Sequence, residues 1–349
     1  MNFKKGSIFL SLMLFLSFSI GAAEFSDGQL RLVLHEDSGR FSLYFLPGDN
    51  SKPQALFSDE DPRTSFLSVM VNDRSYKMGD ASGFRTRLGG DKLNPSFIFE
   101  SAFMIVTEDF SFVKGVNSAL TNGVKILITL ENRGDRQVSA GARFLLDTKL
   151  GEGMSGFPFT TNRRTINSET LLTRIDGDRY WTDRNDKLSL SGSFITGLPT
   201  DPDSIHMANW KKLNDVTWKA AYQAGKNFNY TPYSIGDTAV CYYYEPRALG
   251  RGEKVSFEFI LTFNDETSDF TSADFPPVAA GGESILDLQT PGTADSREQD
   301  LAVLEALIAQ IETRIAAGTA TEEEMASFEF TLNKLRAKYR TDDNMRQAP

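Results

Sequence analysis

Cysteine occurs once, at Cys241, so no disulfide can close within the chain. It is followed by Tyr242-Tyr243-Tyr244, and this apolar-aromatic setting is that of a buried, inert thiol and not of a nucleophile. Histidine occurs only at His35 and His206, with no spacing that would set the two on one metal ion. Basic residues are outnumbered, 37 Lys and Arg against 47 Asp and Glu, for a net charge of −10 at pH 7. A nucleic-acid partner needs a basic face to meet phosphate, and no Lys/Arg cluster supplies one. A zinc motif, a nucleophile elbow and a dinucleotide fingerprint are missing too. Gly151-Glu152-Gly153 is no phosphate loop, because no Lys-Ser/Thr pair follows it. The expectation is a chain without cofactor or metal.

What is present begins with an address. Lys4 and Lys5 form a basic start, Ile8–Ile20 is apolar, and Gly21-Ala22-Ala23 is a small-residue cleavage site. The apolar run falls short of the roughly 20 residues that a membrane span needs. Cleavage after Ala23 would remove two lysines, taking the net charge from −10 to −12. Residues 1–23 are expected to be a signal peptide. The rest is then exported, periplasmic or extracellular, with no membrane span.

From Gln29 the pattern is that of strands. Phe41, Leu43 and Phe45 alternate with Ser42 and Tyr44 in Arg40–Leu46, the period of a half-buried strand. Further strands are expected at Ser65–Val71, Phe97–Val106, Val124–Leu130 and Ser139–Leu146, separated by turn residues such as Gly89-Gly90 and Asn122-Gly123. Val255, Phe257, Phe259, Leu261 and Phe263 point one way against Ser256, Glu258 and Thr262, with Ile260 the exception. No helix is evident before Thr267. Residues 24–263 are therefore expected to form a large antiparallel β-sandwich.

The composition changes after Phe263. Residues 264–295 are rich in Asp, Ser, Thr, Gly and Pro and read as a linker. Ser296 with Gln299, and Thr321 with Glu324, are capping-box pairs that open two helices. The apolar stripes of an antiparallel helical hairpin over 296–340 include Leu304, Ile308 and Ile311 in one helix and Phe328, Leu332 and Leu335 in the other. A two-helix hairpin cannot bury both stripes alone, so those six residues are the expected contact with the sandwich, a second copy or an envelope partner. The tail 341–349 is polar.

The chemistry-bearing residues concentrate in Asp203–Pro246, which holds His206, Trp210, Trp218 and Cys241. Aromatic side chains with carboxylates and amides nearby can stack on and grip a sugar ring. Tyr180, Trp181, Asp183, His206, Asn209, Trp210 and Trp218 are the candidate ligand contacts on that reading, and a core is the alternative fate of such large rings. His206 could act as a base beside Asp201 or Asp203, but no orienting partner is recognisable in the sequence. The Asp-rich stretches Asp176–Asp186 and Asp265–Asp274 lack the ligand spacing of a calcium loop and read as solvated.

The order GRFSLYFL, FLSVMVNDRSYKMG, GVKILITLENRGD, ARFLLDTKLGE and GDTAVCYYYEP resembles that of galactose-mutarotase-like β-sandwich domains over residues 26–263. The resemblance implies a supersandwich fold that often handles carbohydrate. The family's two central histidines and late glutamate base are not matched, since His35 lies far too early. FLLDTKLGE, MANWKKLND and YTPYSIGDTAV are also similar to a family of exported spirochaete proteins with a C-terminal helical tail, which brings no activity with it. Two expectations follow. The first is an exported, non-catalytic interaction or scaffold protein whose hairpin contacts a partner. The second is a carbohydrate-binding or carbohydrate-active protein using the aromatic stretch.

Overall fold

Alternation of apolar and polar residues sets the strands seen in the computed structural model, which describes residues 22–47, 52–58, 61–115, 118, 120–152, 159–196 and 198–265. β1 (Ala22–Asp27), β2 (Leu30–His35), β3 (Arg40–Phe45) and β4 (Gln54–Ala55) form a four-stranded antiparallel sheet in sequence order. Leu30, Leu32 and Leu34 of β2 are fully buried, the inward half of a period-2 pattern. β1 already pairs Ala22 with His35 and Ala23 with Leu34, so the expected cut after Ala23 falls inside a described strand.

β5 (Phe66–Val71) and β6 (Arg74–Lys77) are joined by Asn72-Asp73, both at positive φ, the twist that a two-residue hairpin turn requires. β7 (Arg85–Gly90), β8 (Pro95–Glu100), β9 (Met104–Val113) and β10 (Gly123–Asn132) then run as a meander, and β11 (Val138–Asp147) returns to pair with β5. Six short strands follow: β12 (Phe159–Thr161), β13 (Thr165–Ile166), β14 (Thr170–Thr173), β15 (Tyr180–Arg184), β16 (Leu188–Ser193) and β17 (Ser204–Asn209). The long β18 (Thr238–Leu249) and β19 (Lys254–Asp265) close the described chain.

Two large antiparallel sheets result. One has the order β13-β12-β15-β16-β19-β10-β9-β8-β7, the other β14-β17-β18-β11-β5-β6. Their inner faces meet through Phe144 on Phe259 (5.1 Å between ring centroids), Tyr242 stacked on Phe259 (4.5 Å) and Tyr244 on Phe257 (4.7 Å). The expected mainly-β sandwich is what the described residues form.

Three local expectations are corrected. Phe97–Val106 is not one strand: Ser101 turns the chain, its hydroxyl accepting the Met104 N–H at 2.9 Å, and β8 and β9 pair across the turn. A five-residue helix, α1 (Trp210–Asn214), follows β17, where Asn209 caps the N–H groups of Lys211 and Lys212. The stretch 176–186 is not a solvated loop. Asp178 and Asp183 are fully buried, Asp178 accepting from the Thr161 hydroxyl at 2.5 Å and from Arg164 at 2.6 Å. The linker 264–295, the hairpin with Leu304, Ile308, Ile311, Phe328, Leu332 and Leu335, and the polar tail lie outside the described residues, apart from the backbone of residues 264 and 265 in β19.

Candidate functional site

Tight turns bring charged side chains together at one end of the first sheet. The β2–β3 turn supplies His35, Asp37 and Ser38, the 3₁₀ turn Pro62–Thr64 adds Asp61, Pro62 and Arg63, and Asp80 follows β6. These residues line a cleft of about 530 Å³, within the usual several-hundred-Å³ range of small-ligand sites. Gly79, at φ +82°, lets the post-β6 turn pass close to the backbone carbonyl of Ser38, where a Cβ would clash.

Of the cleft-lining side chains, Asp80 is held by the buried Arg40 guanidinium. This guanidinium donates to the carbonyls of Ser38 (2.9 Å), Gly39 (3.2 Å) and Met78, and to Oδ2 of Asp80 at 3.1 Å. Asp61 accepts from the backbone N–H and the Nε of Arg63 at 3.0 and 2.9 Å, and the Arg63 side chain beside it holds its carboxyl below the usual range. His35 shares a hydrogen bond with Ser42 at 3.0 Å. Burial lowers its pKa, with the Asp37 charge opposing. The cleft therefore offers three carboxylate acceptors, a neutral imidazole and one exposed guanidinium. The carboxylates repel anions, and the mixture of acceptors and a fork of donors suits vicinal hydroxyl groups.

The seven candidates from the sequence do not meet in this cleft. Trp181 is fully buried, its indole N–H donating to the Tyr242 hydroxyl at 2.7 Å, and Tyr180 is buried beside it in β15. His206 does have an orienting partner: Oε1 of Glu169 lies 2.9 Å from its Nε2, and Lys212 holds the same carboxylate at 2.6 and 2.7 Å. The group is closed off on the outer face of the six-stranded sheet, with Tyr222 edge-on over the imidazole. Asn209 spends its amide on the carbonyls of Phe228 and Asp237 and the hydroxyl of Ser234. Trp210 donates to the Thr64 carbonyl at 3.0 Å, and Trp218 lies edge-on to Tyr243. Trp181, Trp210 and His206 have separate packing roles, because β-pairing turns Trp181 inward and His206 against the 210–237 segment. Cys241 is buried, and burial raises its thiol pKa, in keeping with its apolar-aromatic neighbours in the sequence.

Asp183, the remaining candidate, leads to residues the sequence did not single out. Its Oδ2 accepts the Leu150 N–H at 3.0 Å, on the turn that carries Glu152. Asp147, Glu152 and Asp237 gather there, each offering a carboxylate oxygen within 4.8 Å of the others. Burial pushes Asp147 up to about 6, Glu152 to about 7 and Asp183 to about 8, and neighbouring carboxylate charges add to the rise.

No family model matches the chain, and no curated protein matches it by sequence. Solved structures similar to it include a galactose mutarotase-related enzyme from Lactobacillus acidophilus, at 8% identity and TM-score 0.43, covering 72% of this chain and 99% of that one. A galactose mutarotase-like protein from Lactobacillus casei is similar at 10% identity and TM-score 0.42, covering 70% and 100%. A polysaccharide lyase is similar at 10% identity and TM-score 0.40, covering 72% of this chain and 34% of its own. The similarity is to galactose-mutarotase-like β-sandwiches, and at this identity it transfers no activity.

Proposed function

We propose that this is a non-catalytic binding protein that takes a neutral, hydroxyl-rich ligand of the carbohydrate class in the cleft between His35 and Asp80. The observation that carries the reading is the convergence of Asp37, Asp61 and Asp80 with Arg63 and His35 on one polar space of about 530 Å³. Carboxylates accept from paired hydroxyls and the guanidinium donates back, a division of labour that a sugar satisfies and a phosphate does not. No residue of the aromatic stretch 203–246 lines this cleft.

Isothermal titration against a panel of neutral mono- and oligosaccharides tests it. A saturable heat that is lost in Asp61→Ala and Asp80→Ala is the expected result. Absence of binding across the panel, or binding indifferent to both substitutions, overturns the reading.

Export through residues 1–23 and a partner contact through 296–340 belong to the same proposal, resting on the basic-apolar-small order of the leader and the helical-period apolar pattern in the sequence of 296–340. Crosslinking in cells, comparing the full chain with one cut after Thr290, should lose a defined adduct on truncation. Identical capture by both forms removes the hairpin from the proposal.

A further inference from the structure

We propose that residues 215–227 form an acid-released strap, latched over the outer face of the six-stranded sheet by the Glu169 carboxylate and unlatched when His206 takes up a proton. The strap runs between two buried anchors. Leu213 sits in α1 with its carbonyl taken by Arg143. Phe228 packs edge-on to Phe159 at 5.8 Å, and its carbonyl accepts from Asn209 at 2.9 Å. Between the anchors no residue from 214 to 227 is buried, and none of 215–227 lies in a helix or strand. A stretch with so few buried contacts opens at the low end of a protein's range of local stabilities.

Glu169 holds the middle of this stretch with both its backbone and its side chain. Its N–H donates to the Lys226 carbonyl at 2.6 Å, and its Oε1 accepts the Gln223 N–H at 2.9 Å. Tyr222, one residue earlier, lies edge-on to the His206 ring at 6.0 Å between centroids. Other ties are weaker. The Tyr243 hydroxyl reaches the Trp218 carbonyl at 3.3 Å, and Lys219 pairs with Glu245 where both side chains are half-exposed.

The latch is a balance of charge. Lys212 Nζ stands 2.7 and 2.6 Å from the two oxygens of Glu169, so one ammonium already matches the one carboxylate. Nε2 of His206 lies 2.9 Å from Oε1 of the same group. Around the imidazole stand Glu169 ahead of β14, Lys212 of α1, Arg143 of β11, the Cys241 thiol across the strand pair on β18 and the Tyr222 phenol of the strap. A proton on His206 sets a second cation against a single buried carboxylate, with Arg143 behind it. Burial lowers the pKa of His206 from 6.5, Glu169 opposes, and Lys212 and Arg143 add to the fall. Opening the strap lets water reach the ring and returns its proton affinity toward the ordinary value. Acid therefore favours the open form, from pH 6.5 downward.

Hydrogen–deuterium exchange on the full chain at pH 7 and pH 5 tests this, with rates normalised to those of the unfolded peptide so that the chemical pH dependence drops out. Protection across 215–227 is expected to fall at least tenfold in acid, while β10 and β19 keep theirs. His206→Gln should hold the strap equally protected at both pH values. Lys212→Met should reverse the sign. With the ammonium gone, a protonated His206 supplies the counter-charge of Glu169, so the strap is better protected at pH 5 than at pH 7. Should neither variant fold, the wild type decides: a tenfold loss confined to 215–227, with its midpoint below pH 6.5, supports the strap. Equal protection at both pH values, or a loss shared by β10 and β19, overturns it. So does an acid loss undiminished in a folded His206→Gln or Lys212→Met.

Discussion

The indole N–H of Trp181 on β15 donates to the phenol oxygen of Tyr242 on β18 at 2.7 Å, a single bond that spans the two large sheets. Both rings are fully buried, and burial drives the Tyr242 phenol far above its ordinary pKa, with the bond from Trp181 opposing. Tyr242→Phe keeps the stacking on Phe259 but leaves the indole N–H unpaired in the core. The expected loss is about 1–3 kcal/mol, read as a lower urea midpoint with an unchanged slope.

Gly192 of β16 lies directly beneath that bond. A Cβ there would stand 2.5 Å from Trp181 Nε1 and close against the Tyr242 hydroxyl. Gly192→Ala is expected to cost about 1–3 kcal/mol through overpacking. Gly83→Ala, at a position with open space around it, should change the melting temperature little.

Glu108 faces the core from β9, with Oε1 unpaired among the described residues. Burial raises its pKa from 4.5 to about 8, against the pull of Arg40. A carboxyl raised on folding contributes stability that is complete below its unfolded value and is lost as pH rises through the folded one. The wild type should therefore lose on the order of 2 kcal/mol more than Glu108→Gln between pH 6 and pH 8, measured by urea unfolding at each pH. Parallel profiles for the two proteins would remove Glu108 as the cause.

Glu169 is the hub of the buried polar group on the outer face, held by Lys212, His206 and the Gln223 N–H. Glu169→Gln leaves an ammonium that is mostly buried without its counter-charge, and the expected cost is about 3–5 kcal/mol. Burial holds His206 below its ordinary 6.5, the Glu169 bond opposing. The contribution of His206 is therefore present above pH 6.5 and lost as pH falls through the folded value. His206→Gln should flatten that acid limb, which unfolding midpoints at pH 5 and pH 7 would show.

Much of this protein was legible in its sequence. The alternation in Phe41–Phe45 and in Val255–Phe263 is a local property, and it set which side chains face inward. The buried thiol of Cys241 was legible for the same reason: a residue inside an apolar strand has its surroundings written next to it. The turn at Ser101 was less visible, because Phe97–Val106 is apolar on both sides of it and only hydrogen bonds to Met104 mark the break.

Function-bearing geometry came only with the tertiary structure. Whether Trp181 stacks on a ligand or fills a core depends on Tyr242, 61 residues away and in the opposite sheet. The cleft draws on three turns, and the carboxylate group draws on Asp147, Glu152 and Asp237 with no motif linking them. Strand patterning acts over a few residues, so composition and periodicity determined that the chain is a β-sandwich. Which acids share a site is decided by sheet order and register, which bring together residues that no local pattern connects.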